Sequence, residues 1–343
     1  MIRMAIVGVG WAGQRQLRAI KELGRDIVVA GLVDCDEDFL QQQAIAFGIH
    51  ATWVDRQTML ADPSIDAVSI CVPQALHCPI ALDAARAGKH ILCEKPMALT
   101  VDEATQMIET AQQHHVKLYV AENEVYIPMV RFLRDIVQTG AYVGEVVSAS
   151  VVNGFRAPHF VYPGRRSWLT EPDKGGTGTW MLHGIHTVAQ MRYIFGEVAT
   201  VYLREHITPS SIGPTEGTMS GLLTFENGLS VSIVQTREAH IDGRLGGFIL
   251  RGEHGTLHAT PSGCTFWPSD MTSHAASIPL TYPPDSLSSY AHEIAAFADY
   301  VAGRSVGPTT GVSERCSLAV VQAGYESVRT GLPVMLQERF GRL

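Results

Sequence analysis

The sequence lacks the features that mark membrane-spanning and nucleic-acid-binding proteins. No apolar run approaches the roughly 20 residues that a membrane helix needs. No run rich in lysine and arginine supplies the positive field that nucleic acid or an acidic membrane surface requires, and the formal net charge of the 343 residues is −8. We therefore expect neither a nucleic-acid partner nor a membrane partner.

Paired cysteine motifs are also missing. The six cysteines include no Cys-x-x-Cys pair, and three of them lie in or beside apolar runs that resemble strands. This usage is typical of reduced, mostly buried thiols. The first apolar run begins within four residues of Met1, so no signal peptide is predicted and we expect a soluble, cytoplasmic protein.

The chain is long enough for more than one hydrophobic core. Its 343 residues are 46% hydrophobic, and a single core of ordinary size does not accommodate such a chain. The character of the sequence changes after Ala121, where alternating strand and helix patterns give way to consecutive strand patterns. We predict two domains, residues 1–122 and residues 123–343.

A Gly-x-Gly-x-x-Gly turn follows the first apolar run and leads into a helical pattern. Gly8 permits the sharp turn, Gly10 lets the backbone approach a pyrophosphate, and Gly13 lets the helix pack on the strand. The unpaired N–H groups at the start of that helix favour an anion. The residues predicted to cradle a dinucleotide here are Gly8, Gly10, Trp11, Ala12 and Gly13.

An acidic residue ends the second apolar run. Asp34 stands 21 residues after Gly13, close to the spacing at which a carboxylate accepts from the ribose hydroxyls of a dinucleotide. A 2′-phosphate at that position would meet a like charge, so Asp34 favours NAD over NADP. The alternative interpretation is that Asp34 caps the predicted helix 37–47.

The order of the predicted elements gives the fold class. Strand and helix patterns alternate to about residue 120, which predicts an α/β Rossmann domain with a doubly wound parallel sheet. Beyond Gly144 several period-two stretches follow one another, and Asn227-Gly228 predicts a hairpin. The second domain is therefore predicted as α+β with a large, mostly antiparallel open sheet.

Glu94-Lys95-Pro96 follows the fifth predicted strand, at the sheet edge where ligands of parallel sheets bind. Proline restricts the backbone around Lys95, and a lysine held there can stabilise the charge that develops on a substrate oxygen. The alternative is a solvated loop lysine.

Two runs of the sequence resemble the signature of the glucose–fructose oxidoreductase / inositol dehydrogenase / rhizopine-catabolism (Gfo/Idh/MocA) family. They are Cys71-Val72-Pro73-x-x-x-His77 and Ala87-Gly88-Lys89-His90-Ile91-Leu92-Cys93-Glu94-Lys95-Pro96. The resemblance implies a nicotinamide-dependent dehydrogenase or reductase in which Lys95 touches substrate and cofactor. It also implies cofactor-binding positions at Pro73, His77, Glu94 and Asn123.

Family members usually carry an Asp-x-x-x-His pair on a helix of the second domain, and the histidine moves the hydroxyl proton. His186 fits the histidine position, whereas Leu182 stands at the aspartate position. His183 lies three residues from His186 and is a second candidate, and Gly184 is predicted to let a ligand approach the helix. The alternative is that both histidines belong to the core. No convincing third ligand accompanies them, so no metal site is predicted.

These features predict an NAD-dependent dehydrogenase or reductase that acts on CH–OH groups of a small polyhydroxylated substrate, such as a sugar or a cyclic polyol. An arginine among Arg156, Arg165 and Arg166 can recognise a substrate carboxylate or phosphate, and the alternative, favoured for most of them, is a solvated surface arginine. Three alternatives stay open: an NAD-dependent glycosidase, a noncatalytic dinucleotide-sensing regulator and a methyltransferase. The open sheet has an outer face to cover, so a homo-oligomer, a dimer or a tetramer, is expected.

Overall fold

The computed structural model describes residues 1–154, 168–169, 177–207, 215–242, 245–269 and 276–341. The chain divides into two compact units. The first includes Met1–Tyr126 and Ser286–Leu318, and the second includes residues 127–154, Thr177–Asp285 and Ala319–Leu343. The first unit thus contains a late stretch of chain that the predicted boundary at residue 122 does not include.

The elements of the described chain are as follows. The strands are β1 (Ile2–Val7), β2 (Ile27–Val33), β3 (Thr52–Trp53), β4 (Ala67–Ile70), β5 (His90–Glu94), β6 (Leu118–Ala121), β7 (Val146–Gly154), β8 (Val198–His206), β9 (Thr218–Phe225), β10 (Ser230–Thr236), β11 (Gly247–Gly252), β12 (Gly255–Thr260), β13 (Gly263–Pro268), β14 (Ile278–Leu280) and β15 (Val334–Met335). The helices are α1 (Trp11–Leu23), α2 (Glu37–Phe47), α3 (Arg56–Leu60), α4 (His77–Arg86), α5 (Val101–Gln113), α6 (Pro128–Thr139), α7 (Ile185–Phe195), α8 (Ser289–Val301), α9 (Gly311–Thr330) and α10 (Leu336–Phe340). Two 3₁₀ turns, Gln74–Leu76 and Asn123–Tyr126, and a π-helical turn, Trp180–Gly184, complete the list.

The sheet of the first unit is parallel throughout its described strands, in the order β3-β2-β1-β4-β5-β6. The prediction of a doubly wound Rossmann sheet is therefore confirmed. The strands are added outward from β1, first β2 and β3 on one side and then β4, β5 and β6 on the other. The carboxyl ends of β1 and β4 therefore form the switch point at which such sheets bind ligands.

Local sequence signals explain where the helices of this unit begin and end. Asp36 caps α2 by accepting a hydrogen bond from the Phe39 N–H, and Thr100 caps α5 in the same way through the Glu103 N–H. Gly48 ends α2 in the left-handed region, with φ +70°.

The core of the first unit includes residues from distant parts of the sequence. Ile6 of β1 and Leu17 of α1 are buried in the same apolar cluster as Ile294 and Phe297 of α8. Helix α8 thus belongs to the hydrophobic core of the first unit although it follows the second sheet in the chain, and it brings its polar residues to α1.

The second unit contains a sheet of nine strands among the described residues, in the order β14-β13-β12-β11-β7-β10-β9-β8-β15. Of these described pairs, β7 and β10 run parallel and the others run antiparallel, which confirms the predicted mostly antiparallel sheet. The predicted hairpin at Asn227-Gly228 joins β9 to β10, and Gly228 has φ +88°.

Two general predictions about the chain can be examined directly. All six cysteines lie within the described residues; none forms a disulfide, Cys35 is exposed and the other five are buried. In the part of the chain that the structure describes, no helix combines the length and the apolar character needed to span a membrane.

Candidate active site

The three glycines of the first turn meet three different surroundings. Gly8 has φ +90°, and a Cβ on it would lie 2.4 Å from the Cys71 carbonyl oxygen, so a side chain is excluded. A Cβ on Gly13 would lie 2.1 Å from the Gly8 carbonyl oxygen and 3.3 Å from Cγ2 of Ile6 in β1, so glycine lets the helix pack on the strand as the sequence predicts. A Cβ on Gly10 would meet no atom within 4 Å. The space beside Gly10 is open, as a bound pyrophosphate requires.

Asp34 is buried against this turn. Its Oδ2 accepts a hydrogen bond from the Val9 N–H at 3.1 Å, and its Oδ1 accepts from the Asp36 N–H at 3.1 Å. The cap of α2 is Asp36, so the alternative role of Asp34 as the helix cap is wrong. The two backbone donors fix the carboxylate beside the glycine turn, where it can still accept from ribose hydroxyls.

The surroundings of the turn fit an anionic dinucleotide. The first turn of α1 carries no acidic side chain and its N-cap, Gly10, uses no side chain to occupy the N–H groups. Trp11 is 49% exposed, and the Arg15 guanidinium lies 5.0 Å from the centre of its ring. Ala12 is partly buried in the same turn. A positive charge thus stands over the Trp11 ring in the first turn of α1.

His77 joins two loops at the carboxyl edge of the parallel sheet. The ring is buried, with Nδ1 2.9 Å from the Pro96 carbonyl oxygen and Nε2 2.9 Å from the Val72 carbonyl oxygen. Burial lowers the pKa of His77, and the two backbone hydrogen bonds act in the opposite direction. The contacts give His77 a structural role: it connects the loop that contains Pro73 to the one that contains Lys95.

Lys95 follows β5 and lies near two carboxyl groups at the same edge of the sheet. Glu94 ends β5, and Glu122 follows the neighbouring strand β6. Burial raises the pKa of each carboxyl to about 7, and the nearby Lys95 charge opposes that shift in both cases. Lys95 itself is partly buried, as a residue that reaches a bound substrate would be.

Asn123 connects the end of the parallel sheet to α8. Its Nδ2 donates to the Ser289 Oγ at 2.9 Å. This contact orients the amide in the first unit, next to Glu122.

In the second unit, His183 and His186 lie where a π-helical turn runs into α7. Both rings are partly buried, and Leu182 is 8% exposed. The sequence predicts a regular α-helix here, but Trp180–Gly184 has π-helical hydrogen bonding. Such turns insert one extra residue into a helix and occur often at functional sites. His183 therefore lies in the π turn and His186 in the first turn of the regular helix.

Packing against Trp180, and not access for a ligand, explains why position 184 is a glycine. A Cβ on Gly184 would lie 2.5 Å from Cε3 of Trp180, whose ring is fully buried and donates from Nε1 to the Val321 carbonyl oxygen at 3.1 Å. The space beside Gly184 is filled by the Trp180 ring. The prediction that Gly184 admits a ligand is thus wrong.

Glu216 anchors the π turn, although no sequence motif marks it. Its Oε1 accepts from the Trp180 N–H at 2.9 Å and from the Tyr325 hydroxyl at 2.9 Å, and the Tyr325 oxygen in turn accepts from the Met181 N–H at 3.2 Å. Burial raises the pKa of Glu216, and the hydrogen bonds from Trp180 and Tyr325 oppose the shift. A Cβ on Gly178 would lie 1.7 Å from the Glu216 Oε2, so glycine is required there.

A second polar network holds α7 on the sheet next to His186. Thr187 is buried; its Oγ1 accepts from Asn153 Nδ2 at 2.9 Å and donates to Gln235 Oε1 at 2.8 Å. Asn153 and Gln235 lie opposite each other on the parallel strands β7 and β10. The register of these strands therefore fixes the rotation of α7 about its axis and with it the direction of the histidines.

The predicted site residues thus form two groups, one in each unit. The glycine turn, Asp34, Pro73, His77, Glu94, Lys95 and Asn123 belong to the first unit, and His183 and His186 belong to the second. Arg156, Arg165 and Arg166 lie outside the described residues. In the described part of the chain, no three His, Cys, Asp or Glu side chains lie close enough to hold a metal ion.

Two protein-family descriptions match the chain. Residues 2–122 match "Oxidoreductase family, NAD-binding Rossmann fold", and residues 130–258 match "GFO/IDH/MocA C-terminal domain". Together the two matches cover most of the sequence.

Individual proteins are similar over nearly the whole chain. An uncharacterised oxidoreductase of Bacillus subtilis is 27% identical over 341 residues, which are 97% of this chain and 96% of that protein. A D-xylose 1-dehydrogenase (NADP(+)) of Haloferax volcanii is 29% identical and covers 90% of this chain and 91% of its own. A solved oxidoreductase from Agrobacterium radiobacter, in complex with NAD+, L-tartaric acid and magnesium, shares the fold with a TM-score of 0.85 at 22% identity, over 99% of both chains.

Proposed function

Because this chain belongs to the Gfo/Idh/MocA family of oxidoreductases, we propose that it transfers hydride between NAD(P) and a hydroxyl or carbonyl carbon of a sugar, a cyclic polyol or a related small molecule. The observation that carries the proposal is the pairing of an open glycine turn with Lys95, both at the carboxyl edge of one parallel sheet. The D-xylose 1-dehydrogenase of Haloferax volcanii, which is similar over 90% of this chain, supports the substrate class.

The residues of the glycine turn and Asp34 would hold the dinucleotide, which supplies or accepts the hydride. Gly10 leaves room for the pyrophosphate, the first N–H groups of α1 face its charge, and Asp34 accepts from the ribose. The remaining chemistry is proton transfer and charge stabilisation by the chain's own side chains.

Lys95 and His186 are each proposed to act on a substrate oxygen. In the oxidative direction His186 accepts the hydroxyl proton, while the Lys95 ammonium donates a hydrogen bond to the oxygen and stabilises its developing negative charge. In reduction the same groups return the proton and polarise the carbonyl. Glu216 and Thr187 keep the helix of His186 in place, and His183 is a second candidate for proton transfer, since Leu182 stands where relatives of this family usually carry aspartate.

NAD is proposed as the preferred cofactor. Asp34 is buried with both carboxylate oxygens accepting from backbone N–H groups. A 2′-phosphate would bring a second negative charge next to a carboxylate that cannot move away, and this repulsion disfavours NADP. The Haloferax volcanii relative is an NADP(+) enzyme, and titration of the purified chain with NADH and with NADPH tests the preference.

The test is a screen of sugars and polyols for reduction of NAD and of NADP by the purified chain, with Lys95→Met and His186→Ala as variants. Both variants are expected to lose at least about 100-fold in kcat, and His186→Ala, which lies in the second unit, is expected to keep its affinity for NADH. Release of an aglycone without net NADH would indicate a glycosidase instead. Tight NADH binding without turnover of any substrate would indicate a sensor.

We also propose a cytoplasmic homo-oligomer. Val147 of β7 is 65% exposed and Leu222 of β9 is 41% exposed on the large sheet, and a second copy of the chain would cover such apolar side chains. Light scattering of the purified chain tests the assembly, and a Val147→Lys variant is expected to shift it toward the monomer. Cell fractionation tests the location.

A further inference from the structure

Arg237 places a buried guanidinium in the second unit, which also contains His183 and His186. It directly follows β10 and is 6% exposed. Its Nη2 donates to the Thr215 Oγ1 at 2.9 Å, whereas its Nε is buried and has no hydrogen-bond partner among the described residues. An arginine side chain stays charged in a protein interior, so the N–H groups of a buried guanidinium ordinarily have acceptors.

Two carboxylates stand next to Arg237 and Thr215 in the sequence, and both accept hydrogen bonds from other groups. The Glu216 Oε1 accepts the two hydrogen bonds that anchor the π turn. The Glu238 Oε2 accepts from the Thr218 Oγ1 at 3.0 Å. Within the described part of the chain, Arg237 forms no ion pair. The guanidinium therefore lacks the close anionic partner that normally accompanies a buried charge.

Two threonine hydroxyls just before the π turn also lack partners. Thr179 is fully buried and Thr177 is partly buried. The Oγ1 of each is a buried atom without a hydrogen-bond partner in the described chain. A buried hydroxyl is ordinarily hydrogen-bonded, because it has lost its hydrogen bonds to water. These two hydroxyls are therefore available to a ligand.

Backbone hydrogen bonds bring the threonines and the arginine together. The Thr179 N–H donates to the Glu216 carbonyl oxygen at 3.1 Å, and the Arg237 N–H donates to the Gly217 carbonyl oxygen at 2.9 Å. One short segment, residues 215–217, thus contacts both Thr179 and Arg237. The residues called the arginine site below are Thr177, Thr179, Thr215 and Arg237.

The arginine site lies beside the start of the helix that carries His186. Gln235, two residues before Arg237, accepts a hydrogen bond from the Thr187 Oγ1 at 2.8 Å, and Thr187 follows His186 in α7. Thr179 is the N-cap of the π turn that leads into the same helix. The unpartnered Nε and hydroxyl groups are therefore grouped near the candidate proton-transfer residue.

We propose that the arginine site binds a carboxylate of the substrate, so that the substrate is a sugar acid or a carboxylated polyol. The proposal rests on the proposed function and names its substrate class. Arg237 donates to the carboxylate from Nε, and the hydroxyls of Thr177 and Thr179 donate to its oxygens or bind adjacent substrate hydroxyls. One guanidinium balances the single charge of a carboxylate, whereas a phosphate ester carries about two. Arg237 is in this role a specificity-determining residue.

Binding can be measured without turnover, by titration calorimetry in the presence of NADH. The probes are pairs that differ in a carboxylate: D-gluconate with D-glucitol, D-glucuronate with D-glucose, and D-galacturonate with D-galactose. At least one acid is expected to bind the wild type about tenfold or more tightly than its neutral counterpart. Arg237→Met is expected to remove the difference. Arg329→Met, an exposed position on α9 with the same change in net charge, is expected to keep it. Equal affinities within every pair for the wild type would overturn the proposal.

The stability of the ligand-free chain separates a binding role from a structural one. Arg237→Met removes a buried charge that has no ion-pair partner among the described residues and keeps a side chain of similar length, so its melting temperature is expected to equal or exceed that of Arg329→Met. Thr179→Val removes an unpartnered hydroxyl and keeps the shape, and it is also expected to keep the melting temperature. A melting temperature of Arg237→Met several degrees below that of the control would assign the arginine to the fold and overturn the proposal.

Turnover separates this proposal from the proposed function. With an acid that the chain oxidises, Arg237→Met is expected to raise KM at least about tenfold with little change in kcat, and to leave the KM of the neutral counterpart unchanged. Acids that bind through Arg237 to a chain that oxidises no probe with either cofactor would refute the proposed reaction and leave the arginine site intact. Oxidation of neutral sugars, with no preference for acids and no effect of Arg237→Met, would refute the arginine site alone.

Discussion

Replacement of Glu216 tests how the second unit supports His186. The carboxylate accepts two hydrogen bonds at 2.9 Å, from the Trp180 N–H and from the Tyr325 hydroxyl, and it is 5% exposed. Glu216→Ala removes the single oxygen, Oε1, that accepts both hydrogen bonds, whereas Glu216→Gln keeps an acceptor oxygen at the same position and removes the charge. The two variants thus separate the hydrogen bonds from the electrostatic contribution.

The expected loss of stability follows from the groups left behind. In Glu216→Ala, the buried Trp180 N–H and the partly buried Tyr325 hydroxyl lose their acceptor at about 1–3 kcal/mol each, so the free energy of unfolding is expected to fall by about 3–5 kcal/mol. In Glu216→Gln the loss is expected to stay near about 1 kcal/mol, because both donors keep a partner. Glu226→Ala, an exposed carboxylate in the hairpin between β9 and β10, serves as the control and is expected to change stability by less than about 0.5 kcal/mol.

Urea denaturation followed by tryptophan fluorescence measures the three values, since the Trp180 ring is fully buried. The same variants are assayed for turnover and for NADH affinity. Glu216→Ala is expected to lower kcat through His186 and to leave NADH affinity unchanged, because the dinucleotide residues belong to the first unit. A Glu216→Ala variant as stable as the control, or a Glu216→Gln variant as unstable as Glu216→Ala, would refute the assigned hydrogen bonds.

Further predictions concern the cofactor, pH and two glycines. Asp34→Asn is expected to weaken the preference for NADH over NADPH at least about tenfold, because it removes a negative charge next to the ribose. Fluorescence titration with both nucleotides measures the two affinities, and an unchanged affinity ratio would contradict the role of Asp34. Folding raises the pKa of Glu122 from 4.5 to about 7, so the folded state holds this proton more tightly than the unfolded chain. The free energy of unfolding is therefore expected to fall by up to about 3 kcal/mol as the pH rises from 4.5 to about 7. Urea midpoints measured against pH should show this fall, and Glu122→Gln should flatten the curve. Gly184→Ala is expected to lower the free energy of unfolding by about 1–3 kcal/mol, since its Cβ would lie 2.5 Å from the Trp180 ring. Gly10→Ala is expected to keep the melting temperature and to weaken NADH binding. The opposite pattern would contradict both assignments.

The first unit could be predicted well because its signals are local. Gly8, Gly10 and Gly13 occur within six residues of one another, and each has a steric or spatial reason in the structure. Asp34 follows its strand directly, and its spacing from the turn is set by one helix and one strand. Alternating apolar strands and amphipathic helices specify a parallel sheet without any knowledge of tertiary contacts.

The contact between Gln16 and Glu293 could not be predicted for the opposite reason. Gln16 and Glu293, which meet at 3.0 Å, are 277 residues apart in the sequence. A glutamate on a helix ordinarily faces solvent, and only the packing of α8 against the first unit's core turns Glu293 inward. No spacing rule in the sequence connects residues that a much later stretch of the chain brings into contact.

The π turn at Trp180–Gly184 shows how a correct motif can hide a local difference. The spacing of Leu182 and His186 predicts two residues on one face of an α-helix. The inserted turn changes that relation, and its anchors, Glu216 and Tyr325, lie on a loop and on a distant helix. Position 216 carries no pattern in the sequence, because a single buried glutamate between strands looks like an ordinary loop residue.

The most direct test of the account is transfer of deuterium from a substrate to the cofactor. A sugar or polyol identified in the screen, deuterated at the reacting carbon, is incubated with NAD and the chain, and the reduced cofactor is analysed by mass spectrometry. One deuterium is expected on the reduced nicotinamide with the wild type, and transfer is expected to be at least about 100-fold slower with Lys95→Met and with His186→Ala, the latter at unchanged NADH affinity. Reduced cofactor without deuterium, or equal rates in the wild type and both variants, would contradict the account.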